Sequence, residues 1–175
     1  MIGGNDVAVL LGYLAAAVAL AGFAGIVTSI DRRTVGATPE VISFRLNTLT
    51  LAGLSSIVLA LLPIVIEALH LAPTTLWQLA CIFNASAIAA ITIGVVIVRL
   101  RMTGADRGFS QSVFVASIAL GWAAIVACIL GAGGIVPARG AYYLGQLFLL
   151  YQMYMLFYRM LLMADEASRG ALRGG

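Results

Sequence analysis

Lysine is absent from this 175-residue chain, histidine occurs once, cysteine twice, and only 10% of the residues are charged. Soluble domains cover their surfaces with about 25% charged residues, so a water-soluble fold is excluded. A single histidine likewise removes most metal centres and most catalytic triads. What the chain has in abundance is apolar: 62% of it is hydrophobic, and the mean hydropathy is +1.07.

The apolar residues gather in runs from Val7 to Ile30, Leu46 to Leu69, Leu76 to Val98, Ser112 to Gly131 and Ala141 to Met163, whose only charges are Glu67 and Arg159 near two of the ends. At about 1.5 Å per residue, runs of roughly 20 to 24 residues reach ~30 to 36 Å, the thickness of a bilayer's hydrocarbon core. Transmembrane strands would instead alternate apolar and polar residues over about ten positions, and no segment does so. The expected fold is all-α: a polytopic bundle of five transmembrane helices over 7–30, 39–69, 76–98, 112–131 and 141–163. It forms one transmembrane domain, 1–175, with no soluble domain, linker or repeat.

All ten basic residues are arginines, and nine of them follow helices one, three and five: Arg32, Arg33 and Arg45; Arg99, Arg101 and Arg107; Arg159, Arg169 and Arg173. Only Arg139 lies at the opposite side. The positive-inside rule then places the N-terminus outside and the C-terminus in the cytoplasm. Anchoring beside anionic lipid accounts for the arginines, and no aromatic-interleaved basic patch calls for nucleic acid. Helix one lacks a basic n-region, has too long an apolar run for a signal peptide and is followed by Arg32 and Arg33, so it reads as an anchor.

Thr38, Pro39 and Glu40 mark an early start for helix two, as an N-cap, a first-position proline and a first-turn acid. Val41, Ile42 and Phe44 then lie at the interface with Arg45 snorkelling. Pro63 removes one backbone hydrogen bond near the other end, crowds the carbonyl of Leu59 and predicts a kink. The short link His70 to Thr75, with Pro73, makes helices two and three an antiparallel hairpin. Thr103 to Gly108 forms the loop before helix four, and Gly131, Gly133, Gly134 and Pro137 form a flexible turn before helix five. Small residues at four-residue spacing, Ala17, Ala21 and Gly25 on helix one and Ala119, Ala123 and Ala127 on helix four, let backbones approach closely and are the expected helix-packing stripes. Gly12 and Ala16 start a neighbouring row on helix one. On helix five, Tyr143, Tyr151, Tyr154 and Tyr158 share a face, with Met153, Met155, Met160 and Met163 nearby. Tyr142 and Tyr143 at one boundary and Tyr158 at the other fit an interfacial belt, and the same face could serve a partner.

Chemistry is sparse. Glu67 and His70 have an E-x-x-H spacing, but carboxylate-bridged di-iron bundles need two such motifs and further glutamates. The pair reads as an outer polar patch with Arg139 as its ion-pair partner, and neither metal nor cofactor is called for. Ser55 and Ser56 faintly resemble an intramembrane protease loop, yet His70 is 14 residues beyond Ser56 on the same helix, ~21 Å along its axis, too far for a base to serve its nucleophile. Gly131, Gly133 and Gly134 follow no strand and make no phosphate cradle. Cys81 and Cys128 lie at similar depths, and spacing leaves open whether they pair. Near the midplane lies a neutral layer of Ser55, Ser56, Asn84, Ser86, Ser117, Tyr151 and Gln152. It serves either as interhelical hydrogen bonding or as the lining of a pore or pocket, for which Asn84 and Gln152 are the leading candidates. With no ionisable group at that depth, proton coupling is not expected.

Gly22-Phe23-Ala24-Gly25-Ile26-Val27 with Arg32-Arg33, Phe44-Arg45-Leu46 with the run Leu59 to Pro63, and Tyr143, Leu144 and Leu147 leading to Phe157 and Arg159 give the chain a likeness. It resembles a family of small bacterial multi-span inner-membrane proteins that carry no assigned function. The likeness covers helices one, two and five, implies a bacterial inner-membrane location and carries over no catalytic or ligand residue. Two functions follow from the residues: a non-catalytic structural or accessory subunit acting through helix association, or a homo-oligomeric channel or passive facilitator using the polar layer. Either calls for the lipid bilayer and for copies of itself or a larger membrane complex as partners.

Overall fold

The computed structural model describes residues 2–31, 39–101 and 111–173, and within them the chain forms five helices and no strand. These are α1 (Gly4–Asp31), α2 (Pro39–Glu67), α3 (Pro73–Arg101), α4 (Gln111–Ala132) and α5 (Ala138–Arg173). Four of them, α1 to α4, are long and apolar enough to cross a membrane. Arg32, Arg33, Arg107, Thr38 and the loop Thr103 to Gly108 lie outside the described residues. So do the surroundings of Gly25 and the side chains of Val41, Ile42, Phe44, Arg45, Arg101, Arg159, Met160, Met163, Arg169 and Arg173.

The boundaries follow local chemistry. Proline opens both α2 and α3, where its missing N–H costs nothing and its fixed φ suits the first turn. Pro73 therefore belongs to α3 rather than to the link, which shrinks to the turn around His70. Helix α2 runs on as one element through Pro63. Helix α5 reaches Arg173, ten residues beyond the apolar run, because Ala164 to Arg173 is rich in good helix formers even though it is too polar for lipid.

Helix α5 packs against all four others, while α1 meets α2, α2 meets α3 and α3 meets α4. Helices α1 and α4 lack a comparable contact, so the four form an arc around α5 that stays open along one seam. This position lets α5 bury the polar side chains of Tyr142 and Gln146. A central helix turns its polar groups to protein, which its neighbours on the lipid side cannot do.

Two apolar clusters fill the interior. Towards the arginine-rich end, Ala17, Leu49, Ala52, Ile88, Ala124 and Leu149 pack around Met153. Towards the end where the chain begins, Leu10, Leu76, Trp77, Ala80, Cys81 and Tyr142 form the second cluster, and Leu62 touches both. Because lipid tails are as apolar as leucine, these contacts hold by close fit rather than by expulsion from water. Large apolar side chains such as Leu54, Val58, Phe83, Val126 and Leu147 cover the outside.

Candidate functional site

The polar groups fall into three places: a clamp at the end where the chain begins, a hydrogen-bonded chain within the bundle, and a small cavity nearer the arginine-rich end. In the clamp, Asp6 in the first turn of α1 is 4% exposed. Arg139 grips it sideways, with Nε 3.1 Å from Oδ1 and Nη1 donating to Oδ2 at 3.2 Å. The Tyr143 hydroxyl donates to Oδ1 at 2.8 Å, and the Gly3 amide to Oδ2 at 3.1 Å. Four donors thus meet the four lone-pair sites of one carboxylate, which is what burying such a charge requires. The first turns of α1, α3 and α5 line one open cleft of 580 Å3 here, with Trp77, Gln78 and Arg139, so helix-dipole positive ends also favour the acid.

Of the expected outer patch, Glu67 and Arg139 lie at this end but do not pair. Glu67 Oε1 accepts the Ile2 amide at 2.7 Å, and Arg139 takes Asp6 because the first turn of α5 faces the first turn of α1. His70 is exposed and sits with φ 56° in the turn after α2, where it caps the helix instead of joining a site.

The chain within the bundle begins at Pro63. Having no N–H, this proline leaves the Leu59 carbonyl without its helical partner, and the Tyr142 hydroxyl on α5 donates to that carbonyl. Gln146 Nε2 then donates to the Tyr142 hydroxyl oxygen at 3.1 Å, and the Ser56 hydroxyl donates to Gln146 Oε1 at 3.3 Å. Asn84 Nδ2 adds a bond from α3 to the Tyr142 backbone carbonyl at 3.0 Å. Tyr142, Gln146, Ser56 and Asn84 are all fully buried. Tyr142 is therefore no interfacial belt residue, because its hydroxyl has a better partner inside. Tyr143 is half-buried, stacked on Tyr13, whose hydroxyl donates to the Tyr143 carbonyl at 3.3 Å.

Gly145 makes this crossing possible. A methyl there would overlap the Asn84 amide and stand 3.0 Å from the Cys128 sulfur. Cys81 and Cys128 are both free and buried. Each donates to an α5 backbone carbonyl, Cys81 to Ala138 at 3.1 Å and Cys128 to Ala141 at 3.5 Å.

The midplane layer is divided by this geometry. Ser56 and Asn84 face protein partners, whereas Ser55 is half-buried and Ser86 is exposed, bonding its own helix through the Ile82 carbonyl at 2.8 Å. Ser117 and Gln152 line the third place, a cavity of 30 Å3 shared with Thr48 and Thr92. Asn84 and Gln152 thus lie in separate places, Asn84 in the hydrogen-bonded chain and Gln152 on the cavity.

Among the packing stripes, Ala17 is fully buried and Ala21 packs against the same cluster beside Gly53. On α4 the buried residues are Gly121, Ala124, Ile125, Cys128 and Gly131, while Ala119 and Ala123 face outward and Ala127 is half-buried. The close-approach row is rotated from the expected one because the glycines at 121 and 131, smaller than alanine, set the face. Ala123 and Ala127 instead line an outward groove of 460 Å3 with Leu120, Leu144, Leu147 and Tyr151. At the arginine-rich end the Arg99 guanidinium covers the Phe114 ring at 4.0 Å.

Residues the sequence did not single out, Asp6, Tyr13, Thr92 and Gln146, carry much of this arrangement. A signal existed for one link: a mid-helix proline names the carbonyl four residues earlier as an acceptor in need of a donor. Among the described residues no group of three or more metal-ligating side chains comes together. No family model, curated protein or solved structure matches the chain.

Proposed function

We propose that this chain is a bacterial inner-membrane protein that crosses the bilayer five times, with its N-terminus outside and C-terminus in the cytoplasm. It acts without catalysis as a structural or accessory subunit through helix–helix association, with copies of itself or within a larger membrane complex. The observation that carries the reading is the open seam of α5. Four helices wrap it, yet Leu144, Leu147 and Tyr154 stay exposed along the side α1 and α4 leave uncovered. The groove beside them has alanines on its α4 wall, and small residues at a lipid-facing surface admit a neighbouring helix closely enough for van der Waals packing to hold it. Tyr154 and Tyr158, stacked with centroids 6.2 Å apart, extend the same seam with rigid aromatic surface.

The alternative, a channel or passive facilitator, draws less support, because Ser56 and Gln146 bond each other, Gln146 bonds the Tyr142 hydroxyl and the Asn84 amide bonds the Tyr142 carbonyl, all buried. Native mass spectrometry from a gentle detergent tests the proposal. The expected result is a specific assembly that is lost in Ala123→Trp and Ala127→Trp, which fill the groove, and retained in Ala8→Trp on the outer face of α1. A lone monomer for the parent chain, or an assembly indifferent to all three, overturns it. Liposome ion flux abolished by Gln152→Leu would favour the channel instead.

A further inference from the structure

Thr92, in the interior of α3, is 3% exposed, and its hydroxyl oxygen has no hydrogen-bond partner among the described residues. An ordinary remedy lies close by, since a helical serine or threonine can bond the carbonyl four residues back, as Ser86 does. Thr92 does not do so. Its nearest neighbour on α4 is Gly121, where an added Cβ would stand 2.9 Å from the hydroxyl oxygen, so that side offers only a weak C–H contact.

Thr92 lines a 30 Å3 cavity together with Thr48, Ser117 and Gln152. Each of these four comes from a different helix, α2 to α5, and the apolar walls include Ile91, Phe114 and Ile118. We propose that this cavity is a water-binding site. Its volume exceeds the ~10 to 15 Å3 a cavity needs to hold a water, and a buried water needs two to four polar partners. Thr92 supplies an otherwise unmet hydroxyl, and Ser117 and Gln152 supply a second hydroxyl and an amide with both donors and an acceptor.

Other occupants fit worse. A metal cation would face neutral oxygens without a carboxylate, in a site far smaller than six or more oxygen ligands require. A lipid chain is too large and would leave the hydroxyl unmet. The water therefore joins three helices, α3, α4 and α5, in this half of the bundle, as the Tyr142, Gln146 and Ser56 chain joins α2 and α5 in the other.

The test is water-to-methyl cross-relaxation by NMR on the full-length protein in detergent micelles. Long-lived water signals are expected at the methyls of Ile91 and Ile118 and not at Leu149, which does not line the cavity. They should vanish in the Thr92→Val/Gln152→Leu double variant. Thermal unfolding gives an independent sign: Thr92→Val lowers Tm if the hydroxyl serves a water, and raises it if the hydroxyl is simply unpaired. Absence of the cross-peaks in the parent protein, with xenon under pressure shifting the same methyls, means a dry cavity and overturns the proposal. Methyl shifts that follow sodium or potassium and disappear in choline chloride assign a cation and overturn it equally.

Discussion

Replacing Tyr142 with phenylalanine removes one oxygen from the centre of the bundle and leaves two groups unserved. The Leu59 carbonyl loses the donor that stands in for the N–H Pro63 lacks, and the Gln146 amide loses its acceptor. Interhelical hydrogen bonds in membrane proteins average about 0.6 kcal/mol and reach about 1.7; the bond to Leu59 is one of these, and the bond from Gln146, within α5, adds a hydrogen bond of about 0.5 to 1.5 kcal/mol, so the predicted loss is ~1 to 3 kcal/mol. The upper part of that range is favoured because Tyr142 is fully buried and no water can fill the gap. SDS-driven unfolding in mixed micelles, followed by fluorescence of Trp77, whose ring centroid lies 5.6 Å from that of Tyr142, measures it. The decisive arm is the same substitution in a Pro63→Ala background. Alanine restores an N–H four residues after Leu59, so that carbonyl no longer depends on Tyr142, and the cost of Tyr142→Phe should fall by about half. An equal cost in both backgrounds would refute the link between proline and tyrosine.

Three further outcomes follow from the same geometry. Arg139→Gln should destabilise the protein by about 1 to 3 kcal/mol, discounted because the arginine is 58% exposed, since Asp6 is left buried without its counter-charge; faster amide exchange in the first turn of α1 is the accompanying sign, and Arg139→Lys, which cannot form the fork, should recover only part. Gly145→Ala should cost about 1 to 3 kcal/mol by overpacking against Asn84 and Cys128, whereas Gly12→Ala, which meets no atom within 4 Å, should be neutral or stabilising by up to ~1 kcal/mol in the same unfolding assay. His70→Gly relieves a left-handed backbone that disfavours side chains and should stabilise by up to ~1 kcal/mol, seen as a higher Tm.

The helices themselves are legible in the sequence because hydrocarbon imposes one strong rule: every backbone group must bond within its own segment. Runs of apolar residues and Pro39 therefore mark most element ends to within a few residues, although Pro73 proves to open α3 rather than lie in the link, and α5 runs ten residues past its apolar run. Which face of each helix turns inward is far less legible. In a soluble helix the apolar stripe announces the core, but here both faces are apolar, so Ala119 and Ala123 could not be told from Gly121 and Ala124 by hydrophobicity. The partners of polar groups were hidden for a related reason. Arg139 pairs with Asp6, 133 residues away, and only the central position of α5 brings them together. That centrality also accounts for Gln146, whose amide looks out of place in a span until Ser56 and Tyr142 are seen beside it.

The account stands most directly on α5 being a fifth crossing, sheltered by the other four. An odd number of crossings puts the two ends of the chain on opposite sides, and an even number puts them on the same side. Cysteines engineered as Asn5→Cys and Gly174→Cys can be tested in intact cells with a membrane-impermeant maleimide, against a low background because Cys81 and Cys128 are fully buried. Five crossings predict that Asn5→Cys is labelled in intact cells and Gly174→Cys only after the membrane is opened. Labelling of both, or of neither, before the membrane is opened would contradict it.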